Sequence, residues 1–145
     1  MSPKRKKEAA PWPRAIFADT GGWYALVDES DPDYLRARDW FMQNRLPLIT
    51  IDYIFDETPT LIRTSLGHRK AVKFGEKLSA SRLVQLISVT KEDKKRAWEI
   101  FQRYDDKVLS FTDCTSFAVM ERLGIDTAFP VDHDFEALGY IMVPS

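Results

Sequence analysis

Residues 108–123 read VLSFTDCTSFAVMERL, and the reading of this stretch decides the fold. Val108, Leu109 and Phe111 make a short apolar run, and Thr112 then offers a hydroxyl N-cap to a helix carrying Phe117, Met120 and Leu123 at helical spacing. The stretch reads as a strand running straight into a helix. Asp113 falls in the first helical turn, where orphan backbone N–H groups and the positive end of the helix dipole favour an ionised carboxylate. It lies four residues before Phe117 and seven before Met120, so it shares their inward stripe. A carboxylate at the carboxyl end of a strand stands where open α/β sheets keep their sites, and a cation is its expected partner.

Outward from this block, strand and helix patterns alternate. Ala15 to Ala18 is an apolar run ending in Asp19, Thr20, Gly21 and Gly22, and Trp23, Leu26 and Val27 then suggest a helical turn or two. Asp31, Pro32 and Asp33 read as a cap with proline at the first helical position, ahead of Tyr34, Leu35, Trp40 and Phe41. Leu46 to Ile51 is a strand, and Asp52 can cap the helix after it. In that helix Ile54, Glu57 and Leu61 fall on one stripe, which aims Glu57 at the core side. Pro59 implies either a kink or a fresh start near Asp56. His68 to Ser79 is amphipathic, with Arg69, Lys70 and Lys73 outside.

Leu83 to Val89 is a further strand. Thr90 and Asp93 form a capping box that opens a helix with Ala97, Trp98, Phe101 and Tyr104 inside and Lys91, Lys94, Lys95 and Arg96 outside. Beyond the 108–123 block, Gly124 and Ile125 give a stop. Ala128 to Val131 is a short strand ending in Asp132, His133 and Asp134. Phe135 to Leu138 makes a short helix, and Tyr140 to Val143 an edge strand. Such alternation predicts a parallel sheet covered on both faces.

The 145 residues, 44% hydrophobic, suffice for one domain with a proper core and not for two. A formal net charge of −1 neither supports nor excludes nucleic acid as a partner, so local patches must decide. Cys114 is the single cysteine, which excludes an intrachain disulfide and any multi-cysteine zinc site. No apolar run approaches transmembrane length and no signal-peptide pattern opens the chain, so a soluble, cytoplasmic protein without membrane contact is expected. Residues 1–14, basic and with three prolines, read as a flexible tail ahead of a domain spanning 15–145.

The acids Asp19, Glu57, Asp113 and Asp132, with Asp134 beside the last, all follow strand patterns. In a parallel sheet those ends share one edge. Carboxylates gathered there repel and raise each other's pKa unless something positive sits among them. Hard ions such as Mg²⁺ or Mn²⁺ prefer all-oxygen ligands. Two of them about 3.5–4 Å apart can activate water and stabilise the leaving oxygen of a phosphodiester. Arg69, Lys70, Lys73, Lys94 and Arg96 could guide RNA phosphates, although an ordinary solvated helix face explains them equally well.

The segments AIFADTGGWYAL, FDETPTL, VLSFTDCTSFAVMERLGI and VDHDFEALGY together resemble the PIN domain, specifically the VapC-like branch of toxin ribonucleases. The resemblance implies a PIN-like three-layer α/β/α fold with a central, mainly parallel sheet. It implies a Mg²⁺- or Mn²⁺-dependent endoribonuclease, the toxin of a type II toxin–antitoxin pair, with a small antitoxin as partner and a homodimer as working form. Its metal-binding acids would be Asp19, Glu57, Asp113 and Asp132, with Asp134 a further candidate, and Thr20 and Thr112 in support. The family's DTS triplet is DTG here, and Gly21 and Pro59 depart from its pattern. Two alternatives remain open: an RNA-processing nuclease without an antitoxin, and a non-catalytic interaction module on the same fold.

Overall fold

Ile16, Phe17 and Ala18 are apolar on both faces of the backbone, as are Leu48, Ile49 and Ile51, and such runs are stable only when covered on both sides. The computed structural model describes residues 14–130 and 134–145, of Asp134 the backbone alone, and gives these runs that cover. β1 (Ile16–Ala18), β2 (Leu48–Ile51), β3 (Val84–Ile87), β4 (Thr127–Phe129) and β5 (Ile141–Met142) form one sheet in the order β3-β2-β1-β4-β5. Every pairing is parallel. Parallel neighbours need crossover connections, here supplied by α1 (Thr20–Ala25), α2 (Tyr34–Gln43), α3 (Asp52–Leu66), α4 (His68–Ala80), α5 (Lys91–Arg103), α6 (Phe111–Leu123) and α7 (Asp134–Ala137).

Aromatic rings tie the layers together. On one face Trp23 of α1 meets Phe41 of α2, Phe74 of α4 and Phe129 of β4 at centroid distances of 6.0–6.5 Å, and Trp40 stacks on Phe129 at 4.5 Å. On the other face Phe17 of β1 packs against Phe135 of α7, which in turn packs at 4.8 Å against Phe117 of α6. The fold is therefore the expected three-layer α/β/α sandwich, with all described strands parallel. Among the described residues no helix is long and apolar enough to cross a membrane.

α5 and α6 form an antiparallel hairpin. The Thr90–Asp93 capping box opens α5 as its pattern predicts. Asp93 is fully buried, and Arg122 of α6 grips it with two hydrogen bonds of 2.9 and 3.0 Å. Arg96 bonds Glu121 at 3.2 Å and Glu99 at 2.9 Å. Gly124, at φ 71°, ends α6 in the left-handed conformation that favours glycine.

Several local expectations are overturned. Residues 108–110 are not a strand: Val108 is 98% exposed, and β1 already has β2 and β4 as its two neighbours, so the sheet interior holds no place for another strand. The helix begins earlier than Thr112, because Ser110 is its N-cap and Thr112 lies inside the first turn. Pro32 precedes the helix rather than opening it; the Asp33 N–H donates to Asp31 Oδ1 at 2.8 Å in a side-chain turn, and Tyr34 is the first helical residue. Asp52 is the first residue of α3, not its cap, and accepts the Val89 N–H at 3.2 Å. α3 continues through Pro59 without restarting at Asp56. Its buried stripe is Ile54, Thr58 and Ile62, so Glu57 and Leu61 stand one position off it and are exposed. In α5, Ala97 and Ile100 are buried instead of Trp98 and Phe101, because the helix turns its small face to α6. The expected tail of residues 1–14 lies outside the described residues except for Arg14.

The Asp93–Arg122 pair makes acid stability a test of this hairpin. Burial alone would push the Asp93 carboxyl up, but hydrogen bonds from Arg122 and from the Thr90 backbone and hydroxyl prevail and hold it below the usual range. A depressed carboxyl adds stability that is present above its unfolded pKa of about 3.9 and lost as pH falls through the lower folded value. Asp93→Asn should cost about 3 kcal/mol at neutral pH, since it removes the buried carboxylate that Arg122 holds with two hydrogen bonds. Its urea midpoint should fall accordingly, and the gap from wild type should narrow as pH drops below about 4.

Candidate active site

Asp19 is delivered by β1 and is only 6% exposed. Its backbone is extended (φ −98°, ψ 168°), so strand alternation continues and its side chain shares a face with Phe17, the face covered by α6 and α7. Its N–H donates to the Phe129 carbonyl at 3.3 Å, and its own carbonyl accepts the Trp23 N–H as α1 begins. Gly22 lies against that same Phe129 carbonyl so closely that an added Cβ would come within 2.1 Å of the oxygen. The second glycine of the DTGG turn thus lets α1 press onto β4.

Thr20 carries the connection to α3. Its hydroxyl donates to Glu57 Oε2 at 3.0 Å, while the Thr58 hydroxyl lies 3.3 Å from it and caps the Ile54 carbonyl at 2.7 Å. Glu57 thus reaches the carboxyl edge beside Asp19 from an exposed position, by way of a hydroxyl rather than through the core.

Asp113 arrives by a different route from the one its sequence suggests. Ser110 and Asp113 form a reciprocal capping box: the Asp113 N–H donates to Ser110 Oγ at 3.0 Å, and the Ser110 N–H donates to Asp113 Oδ2 at 3.0 Å. α6 runs into β4 through only three residues, which sets its carboxyl end near the start of β4, while Phe117 reaches Phe135 beyond the end of β4. Asp113, one turn before Phe117, therefore lies at the carboxyl edge of the sheet. A carboxylate offers about four acceptor positions, so a cap bond and a cation are compatible. Burial, and then the negative charge of Asp113, pushes the Cys114 thiol up to about 11, so the sulfur stays protonated and acts as a small buried hydrophobe.

Of the other candidates, Asp132 lies outside the described residues, as does the side chain of Asp134. Among the described residues no three histidine, cysteine or acidic side chains converge as a metal-binding group. The three acids at this edge are nonetheless oxygen donors throughout, a set that fits a hard divalent ion better than a soft one. Thr112 contributes its carbonyl to the Thr115 and Ser116 hydroxyls inside α6. Arg69, Lys70 and Lys73 are exposed on α4. Lys94 lies over the Tyr53 ring at 5.7 Å, and Arg96 is held by two glutamates. The residues missed from sequence are Thr58 and Ser110. Ser110 was legible, since Ser-x-x-Asp is itself a capping-box pattern.

A family model of the PIN domain matches residues 16–139. The chain belongs to the PIN domain family. It is 36% identical over 128 residues to the 23S rRNA-specific endonuclease VapC20 of Mycobacterium tuberculosis, covering 88% of this chain and 97% of the relative. The crystal structure of that protein, described as a sarcin–ricin loop cleaving toxin, superposes with a TM-score of 0.81 and covers 87% of this chain and 96% of its own. Two more distant structures share the fold. FitAcB from Neisseria gonorrhoeae has 16% identity and a TM-score of 0.67, covering 88% of this chain and 95% of its own. VapBC2 from Rickettsia felis, bound to a DNA fragment from its promoter, has 8% identity and a TM-score of 0.65, covering 88% and 96%.

Two substitutions separate the supports of the site. Gly22→Ala forces backbone apart at the α1–β4 contact and should lower stability by about 1–3 kcal/mol, read as a fall in Tm. Ser110→Ala removes a cap and should cost about 1 kcal/mol, with the fold retained by circular dichroism.

Proposed function

We propose that this chain is a divalent-metal-dependent endoribonuclease, the toxin of a toxin–antitoxin pair, acting in the cytoplasm on structured ribosomal RNA. The observation that carries the reading is 36% identity, over nearly the whole of both chains, to an endonuclease named for cutting 23S rRNA. The residues at the sheet edge support it. In this reading residues 15–145 form the nuclease domain and residues 1–14 a basic tail that adds affinity for phosphates.

Asp19 and Asp113, with Asp132 and Asp134, would hold Mg²⁺ or Mn²⁺, and Glu57 would complete the acidic edge through its bond to Thr20. A bound ion of this kind supplies Lewis acidity and lowers the pKa of water. Hydrolysis adds the water oxygen to phosphorus and breaks one ester P–O bond; the leaving oxygen gains a proton. The chain's own task is positioning. The Ser110 cap and the buried β1 terminus hold two carboxylates in fixed geometry, so little reorganisation is needed as charge develops. An antitoxin would silence the site by presenting a basic side chain to these acids, and two copies of the chain would form the working unit.

The test is cleavage of a 23S rRNA fragment carrying the sarcin–ricin loop by purified protein in Mg²⁺, Mn²⁺ or EDTA. Cutting should require the metal, and Asp113→Asn should lower it by about 100-fold or more, the scale seen when an electrostatic stabiliser is removed. Metal-independent cutting, or an Asp113→Asn variant of full activity, would overturn the reading.

A further inference from the structure

The carboxyl edge of the sheet carries a cation that the acidic site itself does not use. The register that pairs Phe17 with Ile49 brings the end of β2 level with Asp19. α3 starts there, and Tyr53 and Glu57 lie one turn apart on the same side of it, with about 5–6 Å between their Cβ atoms. The Asp52 carboxylate accepts the Val89 N–H at 3.2 Å, which ties the start of α3 to the chain leading from β3 into α5. Lys94, near the start of α5, is thereby set over Tyr53, its ammonium 5.7 Å from the ring centre. Asp19, the Thr20–Glu57 bond, Tyr53 and Lys94 thus follow one another along a single edge.

Lys94 is held differently from its neighbour Arg96, whose charge is met by Glu99 and Glu121 inside the helix hairpin. It is exposed, and its seat is the half-buried Tyr53, which packs against the core. An aromatic seat restrains a flexible ammonium without neutralising it. Hydrogen bonding to Tyr53 raises the Lys94 ammonium above its ordinary range, so it is fully charged at neutral pH. One phenol oxygen cannot occupy all three of its N–H donors, which leaves donors for an incoming anion. A strand of RNA with one phosphodiester at the acids carries its next phosphates to either side. The carboxylates repel those phosphates, and a cation one step along the edge offsets that repulsion.

We propose that Lys94, seated on Tyr53, holds an RNA phosphate next to the one that is cut and is a positioning residue for the reaction. The inference rests on the nuclease reading above and adds the path of the strand, which leaves the acids over the start of α3 toward α5. A lysine here acts as a point charge on the backbone, so the contact sets the register of the strand and not the choice of base.

The experiment is binding and cleavage of a 23S rRNA fragment carrying the sarcin–ricin loop by the full chain. Binding is read by fluorescence anisotropy in EDTA, from about 50 to 200 mM salt. Lys94→Ala, a change at an exposed side chain, should weaken it about tenfold. The slope of log K against log salt should become shallower by about 0.7–0.9, the share of one phosphate contact. Lys94→Arg should restore both, Tyr53→Phe should lose about threefold, and Lys95→Ala, at the next exposed lysine, should stay within about twofold of wild type. In Mg²⁺ the Lys94→Ala defect should appear as a raised KM with kcat retained, the signature of a contact made equally before and during reaction. Wild-type affinity and KM in Lys94→Ala, or an equal loss in Lys95→Ala, would overturn this site and leave the nuclease reading intact. RNA bound through Lys94 but cut in no metal would overturn the nuclease reading and leave the phosphate contact. A wild-type chain that binds no RNA would overturn both.

Discussion

The Phe129 carbonyl is the point from which the site is built. Asp19 bonds to it through its N–H, and Gly22 packs against it at a distance no side chain could tolerate. Together the contacts fix how β1 hands over to α1 and how α1 lies on β4. The strand register places Ala18 beside Phe129, so the next residue must leave the sheet at its carboxyl edge. Asp19 is that residue, buried because the Phe17 face of β1 is roofed by α6 and α7. Burial of a carboxylate is costly away from charge or hydrogen bonds.

Asp113 reaches the same edge without help from a strand. The α5–α6 hairpin is clamped by the Arg122 fork on Asp93 and by the Arg96–Glu121 pair, which fix the two helices against each other. Phe117 then anchors α6 to α7. With the helix axis set, the capping box fixes the last rotational freedom of the Asp113 side chain. One acid is thus positioned by sheet register and the other by helix packing, and the two share the face on which Phe17, Phe135 and Phe117 meet.

The alternation of strand and helix was legible because buried parallel strands are continuous apolar runs and the helices between them carry caps. Asp19, the Thr90–Asp93 box and the Gly124 stop all speak through local chemistry, which needs no tertiary information. Val108 to Phe111 misleads because a short apolar run is the same signal whether it enters a sheet or remains exposed. Only the sheet order, in which β1 is already flanked on both sides, decides between them. Trp98 and Phe101 mislead for a related reason. α5 offers two apolar stripes, and the packing partner α6 takes the one with the smaller residues, Ala97 and Ile100, so that the helices approach closely. Glu57 stands one position off the buried stripe that its spacing suggests. Periodicity fixes a helical face only to within one position, and the Thr20 bond that draws this side chain inward links residues 37 apart in sequence.

The three described acids differ in how firmly they are held, and this bears on how such an edge can work. Asp19 has a short side chain on a buried backbone, and Asp113 has one of its oxygens in a capping bond. Glu57 has a longer side chain, is exposed and meets the site through a single hydroxyl at 3.0 Å. Fixing a flexible side chain costs conformational entropy, and a glutamate loses more than an aspartate when it is ordered. Two rigid carboxylates can define the geometry in advance, while a third that is only tethered can swing to follow the charge brought by a ligand. Thr20 is well suited to that tether, because its hydroxyl can keep donating as the carboxylate moves. In the proposed site the short acids would therefore set the geometry, and the long one would adapt to what enters it.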